Sequence, residues 1–90
     1  MSDFNKYLSE QMQDPEFAAE YERQRPAREY TKAIIDARSE QNITQKELAE
    51  RTGIRQSNIS RIENGSCSPS INTLQEIAAG MGKKLHIEFR

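Results

Sequence analysis

The chain has 90 residues and a formal net charge of -1 at pH 7, which favours one small domain and argues against a strongly basic, generic nucleic-acid protein. A single cysteine, Cys67, rules out an intrachain disulfide and fits a reducing cytoplasm, and no apolar run is long enough for a membrane helix or a signal peptide. With His86 as its only histidine, the chain lacks the parts of a metal site or a His-assisted catalytic triad, so we expect no metal, no cofactor and no enzymatic activity.

The charges are unevenly distributed along the chain. Residues 1–25 carry six acidic and three basic side chains, whereas residues 26–90 carry eight acidic and ten basic ones. An acidic arm joined to a mildly basic domain suggests two partners of opposite charge. We therefore divide the chain into an N-terminal arm (1–26), a main domain (27–82) and a C-terminal segment (83–90).

The arm is polar, yet it contains four of the six aromatic residues of the chain. Its apolar side chains follow helical spacing in two groups: Phe4, Tyr7, Leu8 and Met12, then Phe17, Ala18 and Tyr21. Between the groups, Asp14-Pro15 is typical of a helix start, with Asp at the N-cap and Pro at the first helical position. Pro26 is expected to mark the boundary to the main domain.

The main domain begins with a predicted helix from Ala27 to Gln41, because its apolar residues share one face. A second helix is expected to start at Thr44, whose hydroxyl can cap the amide of Glu47 while Glu47 reaches back in a capping box. Gly53 is placed to end that helix, since glycine tolerates the positive φ found after a helix end.

A third helix of the domain is predicted from Gln56 to Glu63, and the intervening glycine makes the pair a helix-turn-helix unit. Ile59 and Ile62 point to one side of this helix. The other side, about 140° wide at 100° per residue, is polar: Gln56, Ser57, Ser60, Arg61 and Asn64. Such amide, hydroxyl and guanidinium groups can read base edges in the major groove of DNA.

The last part of the chain is predicted to contain one more helix, followed by a segment in which every second residue is apolar. Ser70 can cap a helix that ends at Gly82. Beyond it, the apolar residues Leu85, Ile87 and Phe89 alternate with polar ones, as in a β-strand. Since a single strand leaves its hydrogen-bonding groups unpaired, pairing with a second protomer is the simplest solution; packing on its own chain or on a partner is the alternative.

The stretch TQKELAERTGIRQSNISRIENGSCSPSINTLQEIAAGMG resembles the phage-repressor-like (XRE-type, Cro/CI) helix-turn-helix family. The resemblance runs from about Arg28 to Gly82. It implies a mainly α fold: a five-helix-type, lambda-repressor-like DNA-binding domain, here with an N-terminal helical arm and a short C-terminal β-strand. It also implies a homodimer that binds palindromic operator DNA as a repressor.

The same resemblance assigns roles to individual residues. Those expected to contact DNA are Thr44 and Gln45 at phosphates, Gln56, Ser57 and Arg61 at bases, Ser60 between them, and Asn64 at the backbone. Arg38 and Glu63 match a pair of the family that forms a structural ion pair. Solvated surface remains the better interpretation of Lys46, Glu50 and Arg51, and a mixed packing and capping role that of Asn58.

Position 55 departs from the family pattern. The family has Ser or Thr there as the cap of the recognition helix, and this chain has Arg55. Either the cap is lost, or Arg55 adds a contact to a phosphate or a guanine.

The stretch DPEFAAEYERQRPAREYTKAIIDAR, which runs from the arm into the first helix of the main domain, resembles the leader of HigA-type antitoxins of type II toxin–antitoxin modules. That resemblance implies a second partner, a small basic HigB/RelE-like ribonuclease toxin in the bacterial cytoplasm. The residues expected to bind it are Phe4, Tyr7, Leu8, Met12, Phe17 and Tyr21. Two alternatives remain: the aromatic residues pack on their own domain, or the chain is a stand-alone repressor without a toxin.

Overall fold

The computed structural model describes residues 3–90, so the first two residues of the predicted arm lie outside the described part. Within it the chain is mainly α, as predicted. The helices are α1 (Asp3–Gln11), α2 (Pro15–Arg23), α3 (Arg25–Glu40), α4 (Gln45–Thr52), α5 (Gln56–Glu63) and α6 (Ile71–Gly80). None of these helices is long and apolar enough to cross a membrane.

The arm is built from α1 and α2, and α2 runs almost directly into α3. Asp14 caps α2 as predicted, because its carboxylate accepts a hydrogen bond from the backbone N–H of Glu16 at 3.0 Å. Only Gln24 separates α2 from α3, which begins two residues earlier than predicted. Pro26 therefore lies inside the first turn of α3, where its missing N–H costs no helical hydrogen bond.

The core is formed by α3 to α6. Helix α4 packs against α5 and α6, and α3 packs against α5 and α2. The buried apolar side chains are Ile34, Ile43, Leu48, Ile59, Ile62, Ile77 and Met81. The two isoleucines predicted to face inward from α5 are thus both in the core, and the burial of this face is what orients the opposite, polar face outward.

Side-chain hydrogen bonds tie α3 to the distant end of the domain. The Thr31 hydroxyl donates to the carbonyl of Ile62 at 3.2 Å, and the Tyr30 hydroxyl donates to the carbonyl of Cys67 at 3.1 Å. These bonds satisfy carbonyl groups in the last turn of α5 and in the following loop. These two bonds help to set the orientation of α5 relative to α3. The sequence pattern alone could not indicate this orientation.

Gly80 marks the closest approach of α4 and α6. A Cβ atom built at this position would lie 2.5 Å from Cγ2 of Thr52. The Thr52 side chain cannot easily rotate away, because its hydroxyl donates to the carbonyl of Leu48 at 2.8 Å and accepts from the N–H of Ile54 at 3.2 Å. This contact explains a glycine inside a helix, where it otherwise costs about 1 kcal/mol relative to alanine.

We expect Gly80→Ala to lower the free energy of unfolding by about 1–3 kcal/mol, because overpacking outweighs the gain in helix propensity. Urea denaturation followed by circular dichroism measures this change. The matched double variant, Gly80→Ala with Thr52→Ser, removes the clashing methyl group and keeps the hydroxyl, so it should recover most of the loss. An equal loss in both variants would show that the Thr52 contact is not the cause.

Two expectations about the fold were wrong. The predicted C-terminal strand is not formed in residues 83–90, because the single chain offers no neighbouring strand for its backbone groups. The main domain also has four helices between residues 25 and 80 rather than five. Gly82, with φ of +69°, ends the last of them, and the residues beyond it have the period of a strand rather than that of a helix.

Candidate nucleic-acid interface

Helix α4 begins with the predicted cap at Thr44. Its hydroxyl oxygen accepts a hydrogen bond from the backbone N–H of Glu47 at 3.0 Å. The Glu47 carboxylate accepts a bond from the Thr44 hydroxyl at 3.2 Å, rather than from the backbone N–H that a full capping box would use. The exposed N-terminus of α4 therefore keeps free N–H groups near Thr44, the position expected at a DNA phosphate.

The turn between α4 and α5 depends on Gly53, whose φ of +78° is the left-handed conformation that glycine adopts without strain. Helix α5 then begins at Gln56, as predicted. Arg55 occupies its N-cap position with an extended backbone and makes no side-chain capping bond. The side-chain cap is thus absent, and the exposed guanidinium lies at the start of α5, so a contact of Arg55 with a phosphate or a guanine stays a prediction.

Helix α5 has the division of faces that base reading requires. Ile59 and Ile62 are buried, which fixes the rotation of the helix about its axis. The residues assigned to DNA are on the outside: Gln56, Ser57, Arg61 and Asn64 are exposed, and Ser60 is half-buried. The arrangement can present amide and guanidinium donors to a major groove without any change in the core.

The starts of α4 and α5 meet at one shallow cleft. It has a volume of about 570 Å³, and its wall includes Thr44, Gln45, Lys46 and Gln56. The structure thus brings the two predicted phosphate-contacting residues beside the first predicted base-reading residue. Asn64 lies at the opposite end of α5, about 12 Å along the helix axis at 1.5 Å per residue.

Arg38 and Glu63 lie in direct contact beneath this surface. The guanidinium Nε and Nη2 donate to the two carboxylate oxygens at 2.9 and 3.0 Å, and the side chains are only 20% and 6% exposed. Arg38 also donates to the carbonyl of Ile43 at 3.0 Å. Arg38 therefore joins the end of α3 to the end of α5 through its two bonds to Glu63, and to Ile43, two residues before α4.

Gln45 is a member of the same network, which its sequence position did not indicate. Its side-chain amide donates to Glu63 at 3.0 Å. One N–H of that amide is therefore used inside the protein, while the rest of the group stays half-buried at the cleft. In a contact between Gln45 and a DNA phosphate, the buried Glu63 carboxylate would hold the Gln45 amide in position.

Asn64 is also partly engaged. Its side-chain carbonyl accepts a hydrogen bond from the backbone N–H of Ser66 at 2.9 Å, as in an Asx turn, and another from the Ser66 hydroxyl. The amide NH₂ group is left as a donor. Only a donating contact, such as one to a phosphate oxygen, fits this geometry.

Three exposed ion pairs lie away from this surface, and each shifts the pKa of one member. A hydrogen bond from Arg23, followed by one from Gln24, lowers the pKa of Glu20. Hydrogen bonds to Glu22 and Asp36 raise the pKa of Arg25 and Lys32, respectively. A lowered carboxyl pKa stabilises the fold above the ordinary pKa and loses its effect as the pH falls through the lowered value. Water screens these exposed pairs, so they are of little consequence for DNA binding.

The two arm helices differ in how they use their aromatic residues. Phe17 and Tyr21 on α2 stack with ring centroids 6.1 Å apart. The Arg28 guanidinium lies 3.6 Å above the Tyr21 ring and donates to the Tyr21 carbonyl at 2.9 Å, a clamp that sequence reasoning missed. Phe4 and Tyr7 on α1 are 65% and 55% exposed. Phe17 and Tyr21 thus have ring contacts within the chain, whereas Phe4 and Tyr7 form an exposed aromatic surface on α1, and a toxin contact by either pair stays a prediction.

Of the remaining apolar residues assigned to a partner, Leu8 and Met12 are half-buried near the end of α1. The three assigned to dimerisation are elsewhere: Leu85, Ile87 and Phe89 line an apolar groove of about 550 Å³ beside α3 and α6. Phe89 is 98% exposed. The chain thus carries two separate apolar surfaces, one on α1 and one at the C-terminal segment.

Comparison with known proteins supports the helix-turn-helix assignment. Residues 34–87 match the family model described as helix-turn-helix. An uncharacterised HTH-type transcriptional regulator of Methanothermobacter thermautotrophicus is 42% identical over 55 residues, 61% of this chain and 78% of the relative. One from Haemophilus influenzae is 39% identical over 56 residues, 62% of this chain and 57% of the relative.

A third relative is similar over a longer part of the chain. The antitoxin HigA1 of Mycobacterium tuberculosis is 31% identical over 86 residues, 94% of this chain and 58% of the relative. The chain thus spans little more than half the length of two of these three relatives. No solved structure matches the chain at a significant level.

Proposed function

The chain belongs to the XRE-type helix-turn-helix family of DNA-binding regulators, and from this premise we propose that it is the antitoxin of a toxin–antitoxin module. In this role it neutralises a small basic HigB/RelE-like ribonuclease toxin through its arm. As a homodimer it also represses its own operon in the bacterial cytoplasm by sequence-specific DNA binding.

The DNA-binding half of the proposal rests on the outward polar face of α5. Ile59 and Ile62 are the apolar side chains that α5 contributes to the core. Gln56, Ser57 and Arg61 are exposed and do not contribute to that packing. Arg55 and Lys46 add positive charge beside them, where a DNA backbone would pass. We assign base reading to Gln56, Ser57 and Arg61, and phosphate contacts to Thr44, Gln45, Arg55 and Asn64.

A dimer follows from the small size of this surface. One eight-residue recognition helix reaches only a few base pairs, so a palindrome with two half-sites supplies the missing contacts. The apolar C-terminal segment, with Ile87 and Phe89 exposed, is the surface that we assign to the second protomer.

The observation that favours an antitoxin is the extent of similarity to HigA1. The alignment with the two uncharacterised regulators covers 61% and 62% of the chain, whereas the alignment with HigA1 covers 94%. A match of that length must include most of the arm. The arm also has the properties expected for a basic protein partner, since it is acidic and exposes Phe4 and Tyr7.

The second candidate function is a stand-alone repressor. It is favoured by the similarity to the two regulators, which is confined to about the length of the helix-turn-helix match. In that case, the arm would only stabilise the domain, as the packing of Tyr21 under Arg28 suggests for α2. The two functions differ in what they require of α1.

We expect the double variant Phe4→Ala/Tyr7→Ala to bind the small basic protein encoded beside it at least about 100-fold more weakly, because exposed aromatic anchors supply most of the free energy at such interfaces. Isothermal titration calorimetry with the two purified proteins measures this. Phe89→Ala is the control, an even more exposed aromatic at the other end of the chain, and should retain the affinity. Full affinity in the double variant would favour the stand-alone repressor.

A further inference from the structure

The C-terminal segment, residues 83–90, forms neither a helix nor a strand in the single chain. It has the alternation of a strand but no strand partner, and its apolar residues border a groove next to α3 and α6. Ile71 on the rim of that groove is 52% exposed, and Ile87 is 58% exposed. A second strand laid along the segment would pair its backbone and cover this apolar surface at the same time.

A second copy of the same segment can do this only in certain registers. Both copies must turn Leu85, Ile87 and Phe89 toward the grooves. The two-fold axis that relates them must therefore be perpendicular to the plane of the two-stranded ribbon. One residue then lies directly opposite its own copy, and this residue defines the register. The two central possibilities are His86 and Ile87.

The charges on the polar face distinguish the two registers. With His86 opposite its copy, Lys84 of each chain faces Glu88 of the other, which gives two attractive pairs. With Ile87 opposite its copy, Lys84 faces Arg90 twice, which gives two repulsive pairs, although His86 then faces Glu88. Opposite charges across a ribbon stabilise it and like charges destabilise it.

The apolar face is compatible with the register centred on His86. Leu85 of each chain then faces Ile87 of the other, and Phe89 faces Lys83, whose aliphatic stem can cover the ring. In the register centred on Ile87, Leu85 would face Phe89 instead. Because the apolar side is laid on the grooves in both registers, the charges on the solvent side are what distinguish them. Glu88 already accepts a hydrogen bond from Arg90 of its own chain at 3.0 Å. In the ribbon, the carboxylate would be shared between this arginine and the lysine of the other copy.

We propose that two copies of the chain pair through residues 83–89 as an antiparallel ribbon in which His86 lies opposite His86 and Lys84 opposite Glu88. The ribbon turns its apolar side onto the grooves beside α3 and α6. This inference rests on the homodimer of the proposed function and specifies how it is held together. The occupant of the groove is therefore another copy of this chain rather than the toxin.

Cross-linking tests the register directly. Opposed residues of an antiparallel pair have Cα atoms about 4.5–5.5 Å apart, which is within the range for a disulfide. In a Cys67→Ala background, His86→Cys should give a covalent dimer as the main product of mild oxidation in the full-length protein. Ile87→Cys in the same background should remain largely uncross-linked. The reverse pattern would overturn the proposed register.

Charge reversal is the second test, read by sedimentation equilibrium. Lys84→Glu and Glu88→Lys should each raise the dimer dissociation constant about tenfold, and the double reversal should return it to within about threefold of the wild-type value. Lys6→Glu on α1 is the control, because it makes the same charge change at an exposed position outside the ribbon. In the register centred on Ile87, Lys84→Glu would instead tighten the dimer, since the new carboxylate would face Arg90.

The result also separates this inference from the function on which it rests. If the wild-type chain is dimeric and binds a palindromic site, but neither test follows the predicted pattern, the ribbon is wrong and the dimeric regulator remains. If the wild-type chain is monomeric at the concentrations that bind DNA, both are wrong.

Discussion

The variant Glu63→Ala should lose about 3 kcal/mol of unfolding free energy, because it removes one partner of a buried ion pair. Arg38 is only 20% exposed, so its charge would be left in the protein without the carboxylate that accepts its two hydrogen bonds. The amide of Gln45 would lose its acceptor as well. Urea denaturation at pH 7 measures the change through the transition midpoint, with the slope checked for constancy.

Two controls separate an unpaired charge from a general weakness of the site. In the double variant Arg38→Met/Glu63→Leu both charges are replaced by apolar groups, so most of the lost stability should return. Glu20→Ala removes the carboxylate of the exposed pair with Arg23 and should leave the midpoint almost unchanged. If the double variant is as unstable as Glu63→Ala, the network is needed for packing rather than for charge compensation.

For DNA binding, Gln56→Ala and Arg61→Ala should each lower the affinity for the specific site by about 1–3 kcal/mol per half-site. Both side chains are exposed and carry no part of the core, so the fold should be unaffected. The probe is the palindromic site that the wild-type protein selects from a pool of random DNA. Fluorescence anisotropy at one fixed salt concentration gives the dissociation constants.

Matched substitutions elsewhere provide the comparison. Arg51→Ala and Gln75→Ala remove the same types of side chain from exposed positions on α4 and α6, and they should change the affinity far less. Random-sequence DNA is the second reference, because loss of a base contact weakens specific binding more than nonspecific binding. Unchanged affinity for the specific site in both recognition-helix variants would contradict the assignment of this face.

Local signals in the sequence were enough to predict most of the helical frame. The N-caps at Asp14, Thr44 and Ser70 were all identified, and each is formed by a side chain that bonds to a backbone N–H nearby in sequence. The bounds of α5 and the burial of its two isoleucines also followed from periodicity. These features depend on residues a few positions apart, which is why a single sequence indicates them.

Features that depend on distant residues were not predicted from pattern. The bond between Gln45 and Glu63 joins two helices, and the clamp of Arg28 on Tyr21 depends on how α2 meets α3. The C-terminal segment has the composition of a strand, but a strand forms only with a partner, so its sequence could not fix its state in a single chain. The ion pair of Arg38 and Glu63 was expected only from family resemblance.

Among residues 3–90, all seven buried apolar side chains fall between Ile34 and Met81, so the described part of the arm and the C-terminal segment have none. Substitutions at the two ends should therefore cost less stability than substitutions in the middle, which is held by its packing. In evolution, such a chain could exchange one protein partner for another by changing its ends alone. Its DNA-binding frame would be inherited nearly intact, and relatives with different partners would resemble it mainly in the middle.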